Sequence, residues 1–241
     1  MIFSNNEINN WYKSKIGKLT LNKIINYLSN SIRVDYNQKI IVHGCDNFLK
    51  SLKNILTSKN IFFIHNNNRY DLSTSIYKLP FEDNSIDTVI LFHSIDFSKN
   101  PHNVFREVDR ILKDDGEIIL ISFNIYSLLL VFKFLAIKSF FWKKRIIGYT
   151  RIKDWLNLLS YKMIKVSFLI KIPPFDIKNK KVVNFVLLLE NVLSRFNFLG
   201  CINIFHAKKE NLRYIDMKIW KKSGNIIKGR FAKPIANKSY E

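Results

Sequence analysis

The sequence predicts an α/β protein with an open, mostly parallel sheet and helices on both faces. Two observations carry this prediction. Short apolar runs rich in Ile, Val and Phe recur between residues 39 and 123, as is typical of strands buried on both faces. Between these runs, apolar residues recur at helical spacing. Strands alternating with helices are the pattern of parallel βαβ units.

Each element follows from its own pattern. The predicted strands, all short apolar runs, are 39–43, 61–65, 87–92, 117–123, 163–170 and 201–207. The predicted helices, all with apolar residues at a period near 3.6, are 19–31, 46–57, 101–113, 151–160 and 181–196.

Turn residues set the predicted boundaries. Gly44 ends the first strand, and Asp46 or Asn47 suits the N-cap of the helix that follows. Pro101 suits the first turn of its helix. Residues 114–116, Asp-Asp-Gly, are predicted to close that helix.

Residues 125–142 are strongly apolar, but Lys133 and Lys138 interrupt them. The stretch from Asn124 to Phe132, which carries no charge and precedes Lys133, is too short to span a bilayer. Two interpretations remain open for this segment. It is either a helix packed on the sheet or an interfacial membrane helix with snorkelling lysines.

The length of 241 residues suits one sizeable domain, predicted over residues 1–208, with a basic, flexible tail over 209–241. Cys45 and Cys201 lie far apart and form no metal-ligand pattern, so we expect reduced thiols and no metal. The first fifteen residues lack an apolar export segment, which predicts a cytoplasmic protein.

The net charge of +20 is unevenly distributed. Up to residue 132 there are 15 basic and 13 acidic residues, a net charge of +2. From Lys133 onward there are 24 basic and 6 acidic residues, a net charge of +18. The second half is therefore predicted to meet an anionic partner, either a membrane surface, a nucleic acid or an acidic substrate. The alternative is a solvated basic surface with no dedicated partner.

An ordered series of turn, strand and helix motifs runs from residue 79 to residue 124. In chain order these are Leu79-Pro80-Phe81, Glu82-Asp83-Asn84-Ser85, a strand from Asp87 to His93, Asn100-Pro101-His102, a helix from Phe105 to Lys113, Asp114-Asp115-Gly116 and Ser122-Phe123-Asn124. This order resembles the central segment of class I S-adenosylmethionine-dependent methyltransferases of the type 11 kind, which have a Rossmann-like fold. Later motifs, including Asp154-Trp155-Leu156 and Gly200-Cys201, resemble one uncharacterised bacterial branch. The resemblance therefore extends over residues 39–208.

The resemblance implies a methyltransferase that uses S-adenosylmethionine and an unknown methyl acceptor. The cofactor is expected at the carboxyl ends of the first strands, and catalysis is expected to rest on in-line positioning of the acceptor. The implied cofactor-binding residues are His43, Gly44, Cys45, Asn66, Ser75, Ile76, Phe92 and His93. His93 is also the candidate catalytic base, while Asn124 and Tyr126 are the candidate substrate contacts.

The chain departs from the family pattern in the first loop. Val42 stands at the family's acidic position, and Asp46 and Phe48 stand where glycines are expected. An amide, Asn66 or Asn67, replaces the ribose-binding acid and offers only one acceptor oxygen. Only twelve residues separate Asn66 from Leu79, so we expect a sheet reduced around its second and third strands.

These departures keep a second hypothesis open. The chain is then a decayed methyltransferase-fold binding module that acts on a membrane surface or a nucleic acid through its basic half. Gly44 is correspondingly either a cofactor-loop glycine or a plain strand-ending glycine. His93 is either functional or structural. Asp87 is predicted to cap a turn, and Asp109 to lie on a solvated helix face.

Overall fold

A computed structural model of the chain describes residues 5–31, 37–54, 56, 60–65, 72, 74–124, 147–169 and 200–210. These residues all belong to one compact unit. The predicted helices at 125–142 and 181–196 and the predicted tail beyond Glu210 lie outside the described residues.

Six strands form one open sheet in the order β2-β1-β3-β4-β6-β5. Their bounds are β1 Ile40–His43, β2 Ile61–Ile64, β3 Ile86–Phe92, β4 Leu112–Phe123, β5 Tyr161–Leu169 and β6 Ile202–Lys209. The first four strands pair in parallel, whereas β6 runs antiparallel to both β4 and β5. The predicted open and mostly parallel sheet is confirmed.

Five helices are described. They are α1 Asn5–Lys13, α2 Lys15–Ser31, α3 Asp46–Lys53, α4 Pro101–Ile111 and α5 Tyr149–Leu158. The sequence analysis predicted four of them and missed α1. Helix α1 was missed because its sequence, NNEINNWYK, contains too few apolar residues to show a helical pattern.

The sheet separates two hydrophobic cores, which confirms helices on both faces. One core joins α1, α2 and α3 to the alternate residues of β1, β3 and β4 that include Val42, Phe92 and Phe123. The second core joins α4 and α5 to the strand residues that alternate with those of the first core, among them Leu91 and Leu120. Alternate strand residues point to opposite faces, so one continuous apolar strand supplies both cores.

Two predicted boundaries are wrong. Cys45, not Asp46 or Asn47, is the N-cap of α3, and no side-chain hydrogen bond caps that helix end. The Asp-Asp-Gly segment at 114–116 does not close α4, because α4 ends at Ile111 and Leu112 is already extended. Residues 114–116 instead belong to β4, which begins early because Leu112 pairs with Ile86 of β3. Pro101 occupies the first turn of α4 as predicted.

Arg110 explains the turn at residues 79–83. Its guanidinium donates to the carbonyl oxygens of Leu79 (3.1 Å) and Phe81 (2.9 Å) and to the Asp83 carboxylate (2.6 Å). Glu107 accepts the Leu79 amide hydrogen (2.6 Å) and also binds Arg110. The Leu79-Pro80-Phe81 motif is therefore part of a turn that Arg110 holds against α4, just before β3 begins.

Asp87 and Asp109 connect elements. Asp87 accepts from the Lys39 amide (2.9 Å) and from Lys113 (2.6 Å), in agreement with its predicted structural role. Asp109 does not lie on a merely solvated helix face, because it accepts from the Tyr161 hydroxyl (3.1 Å) and pairs with Lys209 (3.1 Å). These contacts tie α4 to β5 and β6, and they place Lys209 in the sheet although the predicted tail begins there.

Beside β2, the described residues that follow it include Leu72. There the described chain contributes one isolated parallel bridge between Ile64 and Leu72. No described helix is long and apolar enough to cross a membrane.

Candidate functional site

The carboxyl ends of β1, β3 and β4 lie side by side and form one edge of the sheet. His43 ends β1 and pairs in register with Leu91, so His93 begins the segment that leaves the sheet beside it. Asn124 follows the last residue of β4. Ligands of open α/β sheets bind in the crevice outside this edge, so these three residues define the candidate site.

His93 holds the central position of this site and is buried, with 1% of its surface exposed. Its φ is +53°, a region that non-glycine residues rarely occupy. Regular alternation directs successive strand residues to opposite faces, but this φ turns the imidazole toward the face of Phe92. There it stacks on Phe123, with the ring centroids 3.9 Å apart.

Both ring nitrogens of His93 have partners. Nδ1 lies 2.8 Å from Oδ2 of Asp96, and Nε2 lies 2.8 Å from the hydroxyl of Tyr12. Because a carboxylate only accepts, Nδ1 carries the hydrogen and Nε2 accepts from Tyr12. Burial, followed by Cys45 and Asp96, raises the pKa of Tyr12 well above its ordinary value, which keeps this phenol a donor.

Asp96 fixes the imidazole to the backbone of β4. Its Oδ2 also accepts the Phe123 amide hydrogen at 2.9 Å, so one carboxylate oxygen joins the turn after β3 to the end of β4. Its Oδ1 is buried and has no hydrogen-bond partner among the described residues. The arrangement resembles an oriented acid–base pair, in which Asp96 selects the tautomer and His93 presents Nε2.

His43 ends β1 one strand away. Its Nδ1 lies 2.7 Å from the hydroxyl oxygen of Ser94. Burial, followed by the nearby His65, lowers the pKa of His43 to about 4. His43 is therefore a neutral imidazole at physiological pH and belongs to the polar floor of the crevice.

Gly44 opens the loop between β1 and α3, and protein side chains surround it. A Cβ added there would lie 2.8 Å from Cβ of Phe92 and 3.0 Å from Cδ1 of Phe48. The Phe48 ring is fully buried and stacks on Phe92, with centroids 4.0 Å apart and planes 9° apart. Glycine is needed here for aromatic packing, which favours the structural interpretation of Gly44.

Polar side chains fasten the same loop from two sides. The Asp46 carboxylate lies 3.4 Å from Nε2 of His65, the buried residue that follows β2. Asn9 of α1 donates to Asp46 (3.5 Å), and its carbonyl oxygen accepts from the Asn47 side chain (2.7 Å). Local protein contacts thus hold the loop in which the family pattern places glycines.

The other predicted site residues are scattered. Cys45 and Ile76 are buried, whereas Ser75 is exposed in the turn before Leu79. Burial raises the pKa of the Cys45 thiol to about 12. Asn124 is buried, and its side chain donates to the Gly200 carbonyl (2.8 Å), a contact that joins β4 to the start of β6. Asn66 and Tyr126 lie outside the described residues.

The described crevice does not fit a nucleoside cofactor in this arrangement. A ligand site leaves accessible surface on its lining residues when no ligand is present. Cys45, Phe92 and His93 are only 3%, 2% and 1% exposed. Trp11 and Tyr12 of α1, together with Phe48, pack on this edge of the sheet in the same hydrophobic core. Helix α1 therefore occupies the place where the fold would accept a ligand.

Sequence reasoning missed two residues of this site. Asp96 had a detectable signal, since it follows His93 by three residues and a carboxylate at that spacing can orient an imidazole. Tyr12 had none, because 81 positions separate it from His93 and it stands in a polar N-terminal segment.

Two sequence comparisons find similar proteins. Residues 27–120 match the family model described as a methyltransferase domain. The uncharacterized protein YafS of Escherichia coli K12 is 29% identical over 136 residues, which cover 56% of this chain and 52% of that protein. The match thus spans about half the length of this curated relative.

Solved structures share the fold. A methyltransferase of Thermotoga maritima, described as a possible histamine N-methyltransferase, superposes with a TM-score of 0.62 at 16% identity, covering 85% of this chain and 96% of that one. Geranyl diphosphate C-methyltransferase of Streptomyces coelicolor, solved with S-adenosyl-L-homocysteine, gives a TM-score of 0.54 at 12% identity, covering 78% and 79%. The matched segment and these superpositions show that the chain has the fold of class I S-adenosylmethionine-dependent methyltransferases.

Proposed function

We propose that this chain transfers a methyl group from S-adenosylmethionine to an acceptor not yet assigned. The observation that carries the proposal is the His93–Asp96 pair at the carboxyl end of the central strand β3. The methyltransferase-domain match supports it, as does the cofactor product bound to the geranyl diphosphate enzyme of the same fold.

The proposed role of His93 follows from its tautomer. Nδ1–H donates to Asp96, so the lone pair of Nε2 is directed toward Tyr12. Once Tyr12 has left, Nε2 can accept a proton from a hydroxyl or amine of the acceptor. Asp96 would then act as a positioning residue that stabilises the imidazolium.

Cofactor binding requires space that this arrangement does not provide. Four cofactor contacts proposed from the family pattern, namely Cys45, Ile76, Phe92 and His93, are each at most 8% exposed. His43, at the end of β1, and Ser75, in the turn before Leu79, retain accessible surface. We infer that the cofactor enters the crevice only after α1 has moved.

Isothermal titration of the full chain with S-adenosyl-L-homocysteine tests the proposal. Binding is expected in the wild type, and Gly44→Val should weaken it because the added side chain meets Phe92 and Phe48. Tyr27→Phe is the matched control, since Tyr27 bonds Ser167 far along the chain. The absence of binding at millimolar ligand, in the wild type and in Tyr12→Phe alike, would refute the proposal.

The filled crevice favours a second candidate, a binding module that uses no cofactor. Its proposed partner is anionic, either a membrane surface or a nucleic acid, because the second half carries a net charge of +18. Of the 24 basic residues in that half, only 6 are among the described residues. This candidate predicts salt-sensitive retention on anionic vesicles or nucleic acid, and failure of both to retain the protein at low salt would exclude it.

A further inference from the structure

Helix α1 covers the candidate site with three buried side chains. Ile8, Trp11 and Tyr12 are 3%, 6% and 1% exposed. Tyr12 lies against Phe92, with ring centroids 5.2 Å apart, and Trp11 meets Phe123 edge-on at 6.4 Å. These are the aromatic residues that end β3 and β4, so α1 packs directly on the carboxyl edge of the sheet.

The polar contacts of α1 fall on the groups that a ligand would engage. The Tyr12 hydroxyl occupies Nε2 of His93, the candidate proton acceptor. Asn9 occupies the loop after β1, where its carbonyl oxygen accepts from the Asn47 side chain (2.7 Å). Helix α1 thus binds both the His93 imidazole and the loop after β1. While α1 stays in place, a ligand cannot use these hydrogen-bonding groups.

A built-in break separates α1 from α2 at Ser14. The Ser14 side chain accepts the Gly17 amide hydrogen (3.1 Å), which is an N-terminal cap for α2. The Ser14 amide donates to the Trp11 carbonyl (3.0 Å), which closes the last turn of α1. Helix α2 is therefore capped independently, and its seven buried residues hold it on the sheet without help from α1.

Gly17 allows the two helices to meet at this corner. A Cβ at position 17 would lie 2.1 Å from the Trp11 carbonyl oxygen and 2.7 Å from Cα of Tyr12. Both are backbone atoms of α1, so any side chain at this position must push α1 away. The close approach of α1 to the start of α2 therefore requires glycine at this position.

We propose that α1 is a self-inhibitory cap that turns about Ser14, with Tyr12 acting as an internal competitor for His93. The inference rests on the proposed function, because it regulates the same site. In the capped state the protein cannot bind its cofactor. Apparent affinity then equals the intrinsic affinity multiplied by the fraction of molecules in which α1 has left.

Hydrogen exchange on the full chain tests the cap directly. We expect residues 5–13 to exchange faster than residues 15–31, because α1 opens without unfolding α2. Tyr12→Phe removes one buried hydrogen bond and should speed exchange in α1 by about tenfold. Gly17→Ala should do the same through a different contact, whereas Tyr27→Phe, which removes a hydroxyl bond from α2, should leave α1 unchanged. Exchange of α1 and α2 at one common rate in all four proteins would overturn the cap.

Titration with S-adenosyl-L-homocysteine separates this inference from the proposed function. If the cap competes with the ligand, Tyr12→Phe should bind about tenfold more tightly than the wild type. Equal affinity in the wild type and both cap variants, with α1 still protected in the complex, would refute the cap and leave the methyltransferase proposal standing. The absence of binding in every variant, including one whose α1 exchanges freely, would refute the proposed function instead.

Discussion

The hydroxyl of Tyr12 lies 2.8 Å from Nε2 of His93, although 81 positions separate the two residues. The contact joins the N-terminal helix to the carboxyl end of β3. It uses the only imidazole nitrogen that Asp96 leaves available. The same histidine is therefore both the anchor of α1 and the candidate proton acceptor.

Asp96→Asn tests how the histidine is oriented. Both Nδ1 of His93 and the Phe123 amide donate to one carboxylate oxygen of Asp96, and the neutral carboxamide oxygen of asparagine is a weaker acceptor than a charged one. The amide NH₂ group would also take the buried Oδ1 position, where it has no acceptor among the described residues. We expect the free energy of unfolding to fall by about 1 to 3 kcal/mol. We also expect the Nδ1–H tautomer to lose its preference, which ¹⁵N NMR of the imidazole measures. Asp115→Asn, at an exposed position, is the control, and an unchanged tautomer in Asp96→Asn would contradict this assignment.

Gly44→Ala tests whether the first loop serves packing or a ligand. The new methyl group would lie 2.8 Å from Cβ of the buried Phe92, so the core must shift. A loss of about 1 to 3 kcal/mol in the free energy of unfolding is expected, measured by urea denaturation. Ser75→Ala, at an exposed predicted cofactor contact, should be neutral. An unchanged stability combined with lost ligand binding would show that Gly44 serves the ligand.

Arg110→Lys tests the fastening of the turn before β3. Lysine cannot reproduce the fork that reaches the carbonyl oxygens of Leu79 and Phe81 together with Asp83. We expect a loss of about 1 to 2 kcal/mol in the free energy of unfolding. Arg106→Lys, exposed on the same helix, is the matched control and should have no measurable effect. Equal effects from the two substitutions would show that the turn does not depend on the guanidinium.

Acid should destabilise the fold through His43. Burial, followed by His65, lowers its pKa in the folded protein to about 4, from an ordinary value of 6.5. Protonation of His43 therefore leaves the free energy of unfolding unchanged above about pH 6.5. As the pH falls toward 4 it lowers that free energy, because the unfolded chain binds the proton more tightly than the folded protein. Between pH 7 and pH 4.5 the loss amounts to roughly 2 to 3 kcal/mol.

Urea unfolding of the wild type and of His43→Gln at pH 7 and pH 4.5 measures the loss of stability that comes from His43. Glutamine does not titrate and keeps a polar group near Ser94. The variant should lose less stability on acidification than the wild type by about the same 2 to 3 kcal/mol. Parallel losses in the two proteins would show that His43 is not held neutral by the fold.

Most of the sheet could be predicted because its information is local. The apolar runs at 39–43 and 87–92 have enough length and β-branched content to be strands whatever their neighbours. Boundaries were less predictable. Leu112 leaves α4 because Ile86 pairs with it across the sheet, and the turn chemistry of residues 114–116 gave no sign of that contact.

The candidate site was predictable only in part. His93 could be located because it ends a strand whose carboxyl end faces the crevice. The sequence showed that Phe48 stands where the family pattern has a glycine, but it did not show that the Phe48 ring stacks on Phe92 inside the core. Full burial of a phenyl ring contributes about 1.5 to 3 kcal/mol, and only the packed structure shows where in the core the ring lies.

The sequence by itself determined the α/β class and the parallel pairing of the first strands, because periodicity and turn chemistry act over a few residues. Only the tertiary structure decided what fills the crevice. Tyr12, Phe48 and Phe92 meet there from three separate elements, and a contact across 81 positions leaves no local pattern. The physical reason is burial, since a helix as short as α1 is stabilised mainly by packing, and Ile8, Trp11 and Tyr12 become buried where α1 lies.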